Sequence, residues 1–353
     1  MHTTLNYANL AKEIKLWAAE LGFQQTGIAN TDLSTAKTHL AHWLDKGHHG
    51  EMEYMAQHSY KRSHPQELIP GTMRIISVRM NYLSDTDDNQ LTVLNNPQLA
   101  YISRYALGRD YHKLMRSRLQ QLASKIKARI GAFDARAFVD SAPVMEKPLA
   151  VKAGHGWMGK HCIIVNPNAG SYFFLGELFT NLPLPVTTPT EDRCGTCKLC
   201  IDICPTKAII APYELDARRC ISYLTNSLRG SIPTELRPLI GNRIFGCDDC
   251  QLACPWNQFA VKSSEPDFLP RHGLHEAQLI DLFSWTENEF LSRMEGSAIR
   301  RIGHHCWLRN IAVALGNAPA TPDVITALQS RMDHESELVR EHVTWGIAQH
   351  LNQ

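Results

Sequence analysis

The chain has 353 residues, enough for two or three domains built around at least one sizeable core. With 44% hydrophobic residues, 20% charged residues and a net charge of +1, its composition is that of an ordinary globular protein. It argues against a globally basic nucleic-acid binder and leaves room for a local basic face.

No apolar run approaches the ~20 residues that span a bilayer. The start, Met1 to Ala8, is polar and lacks a secretory pattern, so a cytosolic protein with no membrane partner is expected. In that compartment ten cysteines read as metal or redox sites rather than as a disulfide framework.

In chain order, residues 7–22 predict an amphipathic helix. Leu10, Ile14, Trp17 and Leu21 recur at helical spacing, and Gly22 suits the C-terminal cap. A second helix is predicted over 111–130, with Met115, Leu119, Leu122, Ile126 and Ile130 as its apolar stripe. Its polar side carries Lys113, Arg116 and Lys127, which read as a solvated face or as phosphate contacts. Arg136–Val139 predicts a strand leading into Asp140, followed by a helix over 143–153 with Pro143 at its first position. Cys162–Val165 and Ser171–Leu175 predict two strands joined by a turn at 166–170.

A linker with Pro183, Pro185 and Pro189 follows over 182–192, and 263–272 marks a second boundary. The tail is helical. Residues 308–315 align with 339–346, and Thr321-Pro322-Asp323 opens a helix between them. This pattern is similar to HEAT-type repeats, whose helix pairs stack apolar faces.

The strongest motif lies between those boundaries. Cys194-x2-Cys197-x2-Cys200-x3-Cys204-Pro205 is followed by Cys220 and by Cys247-x2-Cys250-x3-Cys254-Pro255. Four thiolates hold a cubane cluster, and in two-cluster ferredoxins the last cysteine of a run serves the other cluster. The spacing therefore predicts two [4Fe–4S] clusters. One is held by Cys194, Cys197, Cys200 and Cys254, the other by Cys204, Cys220, Cys247 and Cys250. Zinc is the alternative for paired Cys-x2-Cys. Cys162 and Cys306 are left over and read as small buried hydrophobes.

Gly154-His155-Gly156-Trp157-Met158-Gly159 matches a dinucleotide fingerprint in spacing only, because a helix precedes it and a strand follows. A Rossmann site is rejected. The glycines still permit close approach of backbone to a large planar or phosphate-bearing ligand, or simply a tight connection. Asp140 sits at a strand end, where an acid in a pocket could donate a proton. It could also cap the helix starting at Pro143, and on the residues alone the cap is the stronger reading. Lys160 and Glu177 read as an ordinary ion pair or as loop charges.

Taken together these segments resemble the epoxyqueuosine reductase family over nearly the whole chain. The resemblance rests on Lys61-Arg62-Ser63-His64-Pro65, Leu68-Ile69-Pro70-Gly71 and Arg104–His112. It continues through Val139–Val144, Gly154–Lys160, Phe174–Glu177, Cys220–Tyr223, Gly246–Gln251 and Cys254–Asn257. It implies an α+β protein in three parts. A mixed α/β cobalamin-binding catalytic domain covers 1–184, a ferredoxin-like domain 185–262 and a HEAT-like helical domain 263–353. It also implies the reaction: epoxyqueuosine at the tRNA wobble position is reduced to queuosine, with the epoxide oxygen lost as water. A reduced corrinoid would carry the difficult chemistry.

On this resemblance Asp140 becomes the proton donor rather than a cap. Arg62, Arg104, Tyr105, Asp140, Gly154, Gly156, Lys160, Ser222 and Asp248 become candidate cobalamin contacts. Arg300, Arg301 and Arg309, with the 104–129 segment, become candidate contacts to tRNA phosphates. One departure is visible: family members often carry Arg where Leu107 stands, a role left to Arg104 or Arg109. A monomer served by an external electron donor is expected. The rival readings are a corrinoid reductive dehalogenase of small molecules and a ferredoxin-like electron carrier.

Overall fold

The computed structural model describes residues 5–85, 89–131 and 133–351; Met1–Thr4 of the expected polar start lie outside them. At its centre is a four-stranded antiparallel sheet in the order Gln25–Ala29, Arg74–Asn81, Phe173–Thr180, Ala135–Phe138. Phe173–Thr180 is buried along its whole length, as a central strand covered on both faces must be.

Alternation along the strands sorts the two faces. Ile76, Val78, Phe174 and Leu178 pack with Leu10 and Ile14 of the helix Tyr7–Glu20 and with Met115 and Leu119 of the helix Tyr111–Ile130. On the opposite face Ile75, Phe138 and Phe179 pack with Leu149 and Ala153 around the helix Glu146–Lys152. That helix approaches so closely that a Cβ on Gly27 would stand 1.8 Å from the Ala153 carbonyl oxygen. Only glycine fits there.

The two long helices match their predicted spans. The helix expected over 143–153 covers only Glu146–Lys152. Pro143 disfavours a helical Ala142 before it, and 139–144 instead form tight turns, with Ala142 N bonded to Val139 O (2.9 Å) and Val144 N to Ala142 O (2.8 Å). The expected hairpin of 162–165 with 171–175 also does not form. Ile164–Val165 pairs with Trp157–Met158, whereas Phe173–Thr180 enters the central sheet beside Arg74–Asn81. The 166–170 turn itself is present, closed by the Asn166–Gly170 bridge.

In the cysteine-rich part the short helix Leu199–Ile203 packs against the helix Asp249–Leu252. Arg243–Phe245 runs parallel to Tyr101–Ile102 and ties this part to the first third of the chain. In the tail, Gly303–Gly316 packs along Glu337–Leu351, the two segments that the sequence aligned, with Pro322–Gln329 between them. Thr321 caps that middle helix through Val324 N (3.3 Å). The tail core takes in Ala100, Ile102, Leu107, Ile244 and Phe245, so the three parts share apolar interiors rather than standing apart. No helix among the described residues is long and apolar enough to cross a membrane.

Candidate active site

Asp110 opens the long helix: its Oδ1 accepts from His112 N at 3.1 Å. This places Tyr111 and His112 in the first turn, projecting toward the end of the sheet. Tyr111 lies flat on Phe174, with ring centroids 3.8 Å apart, and His112 stacks on Tyr111. The edge strand Ala135–Phe138 delivers Asp140 to the same place. Tyr111 Oη donates to Asp140 Oδ2 at 2.5 Å, and His112 Nε2 lies 2.7 Å from Asp140 Oδ1. His112 Nδ1 lies 2.6 Å from Asp110 Oδ1, and Arg301 pairs with the other oxygen of Asp110.

Carboxylates on both ring nitrogens suit an imidazolium, which donates from both. Burial opposes the charge on His112, but the bonds to Asp110 and Asp140 outweigh it and push its pKa up to about 9. Burial likewise works against an ionised Asp140; His112, Tyr111 and Arg301 reverse that and hold the carboxyl below its usual range. Asp110 falls to about 2 by the same balance. Asp140 does not cap a helix. Its side chain is 39% exposed, into the cavity rather than toward a helix end.

Two cavities meet around these groups, and a third adjoins the first. One of about 450 Å³ is walled by Tyr82, Tyr105, Phe173 and Phe174 and reaches both Asp140 and Cys204, Cys220, Cys247 and Cys250. A second, of about 580 Å³, shares Tyr105, Tyr111 and Asp140 with it, and its rim carries Tyr54, Arg62, Arg229 and Arg301. A third, of about 600 Å³ and largely apolar, shares Lys147, Cys162 and Leu215 with the first.

None of the ten cysteines is joined to another in a disulfide. Burial pushes Cys200 up to about 11, and neighbouring Cys254, Cys194 and Cys197 push the same way. Burial raises Cys250 further, beside Cys220 and Cys204, and Cys247 also, with Asp249 and Cys220 near it. Trp157 Nε1 donates to Cys194 Sγ (3.4 Å) and Ala208 N to Cys204 Sγ (3.2 Å). Two groups of soft, mostly half-buried sulfurs suit iron. Among the described residues no three His, Cys, Asp or Glu converge closely enough for a single metal ion.

Of the other sequence candidates, Tyr105, Ser222 and Asp248 line the first cavity and Arg62 the second. Asp248 also works as a fastener: its carboxylate accepts from Ser103 Oγ (2.5 Å), Tyr101 Oη (3.1 Å) and Arg104 N (2.9 Å). Arg104 is buried, its guanidinium over the Tyr101 ring. Gly154 and Gly156 line none of these cavities. A Cβ on them would strike the Thr188 and Val165 carbonyls, so they serve chain packing. Lys160 and Glu177 are not an ion pair: Lys160 Nζ donates to Gly195 O (2.6 Å) and Cys197 O (2.9 Å), and Glu177 is fully buried.

Arg300 and Arg301 are exposed, but Arg309 is completely buried. It donates to the carbonyls of Leu224, Leu228 and Gly230, and so cannot reach a phosphate. Leu107 is packed in the tail core, and Arg109 pairs with Asp267 (3.3 Å). Cys306 is buried as expected, whereas Cys162 borders two cavities. Sequence reasoning missed His112 and Tyr111 as site residues, although the Asp110 cap followed by two aromatic rings was there to be seen. Tyr54 and Arg229 carried no local signal.

Comparison with known proteins shows which family the chain is similar to. A family model described as "Epoxyqueuosine reductase QueG, DUF1730" matches residues 62–141, and one described as "4Fe-4S double cluster binding domain" matches residues 193–257. The epoxyqueuosine reductase of Pseudomonas aeruginosa is 59% identical over 344 residues, covering 97% of this chain and 95% of its own length. That of Escherichia coli is 57% identical over 353 residues, covering 100% and 93%. A crystal structure of an epoxyqueuosine reductase with an epoxyqueuosine-modified tRNA-Tyr stem loop superposes with a TM-score of 0.89 at 29% identity, covering 98% of this chain and 91% of that one.

Proposed function

The chain belongs to the epoxyqueuosine reductase family, and on that premise we propose that Asp140 marks the place where epoxyqueuosine in tRNA is reduced to queuosine. The protein is an oxidoreductase carrying a double 4Fe-4S cluster domain. The observation that carries the placement is a shared wall: the cavity that Asp140 borders is also bordered by Cys204, Cys220, Cys247 and Cys250. Electrons arriving at one end can meet a proton at the other.

The fit to cobalamin rests on the same walls. Aromatic and aliphatic side chains with a few polar groups suit a large planar macrocycle, and Tyr105, Ser222 and Asp248 would border it. When bound, cobalamin supplies the electron-rich centre that the protein lacks. Cys194, Cys197, Cys200 and Cys254 would hold one cluster, and Cys204, Cys220, Cys247 and Cys250 the other. The cobalamin-binding part covers 1–184, the ferredoxin-like part 185–262 and the HEAT-like part 263–353, in a cytoplasmic monomer charged by an external electron donor.

The chain's own residues then have distinct tasks. The wobble base, splayed from its single-stranded loop, enters the 580 Å³ cavity, with Tyr54 and Tyr105 as stacking surfaces. Arg229 and Arg301, which line that cavity, and the exposed Arg300 would contact phosphates. Asp140 delivers a proton to the leaving oxygen. In the resting site that proton sits on His112, and the 2.7 Å contact carries it across. Tyr111 fixes the carboxylate for that transfer.

The test is to load the enzyme anaerobically with clusters and cobalamin, reduce it, and mix it with epoxyqueuosine-bearing tRNA. Mass spectrometry of the nucleosides should show loss of one oxygen, dependent on cobalamin. No conversion by fully loaded enzyme would refute the reading.

A further inference from the structure

Epoxyqueuosine carries its epoxide ring on an aminomethyl link to the base, and an alkyl amine of this kind holds a proton at neutral pH. The substrate therefore brings a positive charge into a cavity that also receives an anionic backbone. Phosphates account for the arginines of the 580 Å³ cavity. They do not account for a carboxylate.

Glu51 is that carboxylate. It is exposed and lines the cavity together with Tyr54, Tyr105 and Asp140. Its place is set by the helix Ile221–Asn226 and the turn after it. Glu51 N donates to the hydroxyl of buried Tyr223 (2.8 Å), and its Oε2 accepts from Arg229 N (3.3 Å). Backbone and carboxylate are thus both held against the wall.

The guanidinium groups around it are committed elsewhere. That of Arg229 donates to Asn226 O and Arg301 O, each at 3.2 Å. Arg301 pairs with Asp110. Arg62 lies over the Tyr54 ring and donates to Val144 O (3.4 Å). Arg309, behind the wall, is taken up by the carbonyls of Leu224, Leu228 and Gly230. Glu51 therefore faces the cavity with no countercharge from these four. A carboxylate so placed repels phosphate and weakens the binding of every tRNA. It becomes favourable where the bound group itself brings a cation.

We propose that Glu51 binds the ammonium of the modified base and so selects epoxyqueuosine over an unmodified guanine at the wobble position. The proposal rests on the placement of that base in this cavity given above. Glu51 grips the link between base and ring, while Asp140, on the same cavity wall, serves the ring. Glu51 takes no part in proton transfer.

The experiment is filter binding of holoenzyme to two stem loops that differ only at the wobble base, one with epoxyqueuosine and one with guanine. Wild type and Glu51→Gln are compared, and single-turnover conversion of the modified loop is measured with both. Glutamine keeps the size of the side chain and an acceptor for Arg229 N, and removes the charge. Wild type should prefer the modified loop by at least about tenfold, as a charge-assisted hydrogen bond supplies. Glu51→Gln should lose most of that preference by binding the modified loop more weakly, while binding the guanine loop at least as tightly as wild type. Equal weakening of both loops would make Glu51 a structural brace and overturn the ammonium contact. So would an undiminished preference in Glu51→Gln beside a wild type that converts. A fully loaded wild type that neither prefers nor converts the modified loop would overturn the site reading and the contact together.

Discussion

His112 Nε2 stands 2.7 Å from Asp140 Oδ1, while its other ring nitrogen faces Asp110 at 2.6 Å. One imidazole thus bridges the residue that starts the long helix and the residue that ends the edge strand. The helix cap and the acid of the site meet at a single side chain.

That bridge makes stability depend on pH in a definite direction. The folded pKa of His112, about 9, lies above its ordinary 6.5. The bridge therefore contributes fully below about pH 6.5 and is lost as pH rises through about 9. Relative to His112→Gln, wild type should be more stable by on the order of 3 kcal/mol at pH 6, and the gap should close above pH 9. Denaturant unfolding of both proteins across pH measures it. A gap that is constant with pH would contradict the charged bridge.

Arg301 and Arg309 should separate binding from folding. Arg301→Ala removes an exposed cation at the cavity rim. It should weaken tRNA binding and lower the salt dependence of affinity by about one unit of slope. Arg309→Met strips three backbone carbonyls of their donor. It should cost roughly 3 kcal/mol of stability and leave the salt slope of tRNA affinity intact. Filter binding over a salt series and thermal unfolding decide between the two roles.

The cysteine spacing and the long helix were legible because their information is local: ligands three or four residues apart, and an apolar stripe at 3.6-residue spacing. The hairpin was misread because 166–170 is a true turn whose flanking strands choose different partners. Phe173–Thr180 finds its place beside Arg74–Asn81, nearly a hundred residues earlier. The pull of Asp140 toward a capping role came from Pro143, which turned out to lie in a tight turn ahead of the helix. Arg309 looked like a surface cation because its charge is visible in sequence. The carbonyls that bury it, at 224–230, are not. Glu177 follows the same logic in reverse: an acid in a fully buried strand reads as a loop charge until the sheet is assembled.

Glu177 also makes a prediction about stability. Glu177→Met removes an unpartnered buried acid at nearly constant volume. It should raise unfolding free energy by about 1–3 kcal/mol. A destabilised Glu177→Met, measured by denaturant unfolding, would mean that the acid has a structural partner.

Lys160 holds the first cysteine loop through the carbonyls of Gly195 and Cys197. Lys160→Met should loosen that loop and speed loss of iron to a chelator, while the tail helices keep their stability. Iron release at wild-type rate would show that the loop needs no such tether.

The central claim is that Asp140 delivers the proton that lets the epoxide oxygen leave. The most direct measurement is mass spectrometry of nucleosides after single turnover by Asp140→Asn, in protein shown to hold wild-type amounts of iron and cobalt. The account predicts tRNA bound normally but conversion slowed by about 10²–10⁴-fold, with epoxyqueuosine left unreduced. Queuosine formed at the wild-type rate by that variant would contradict it.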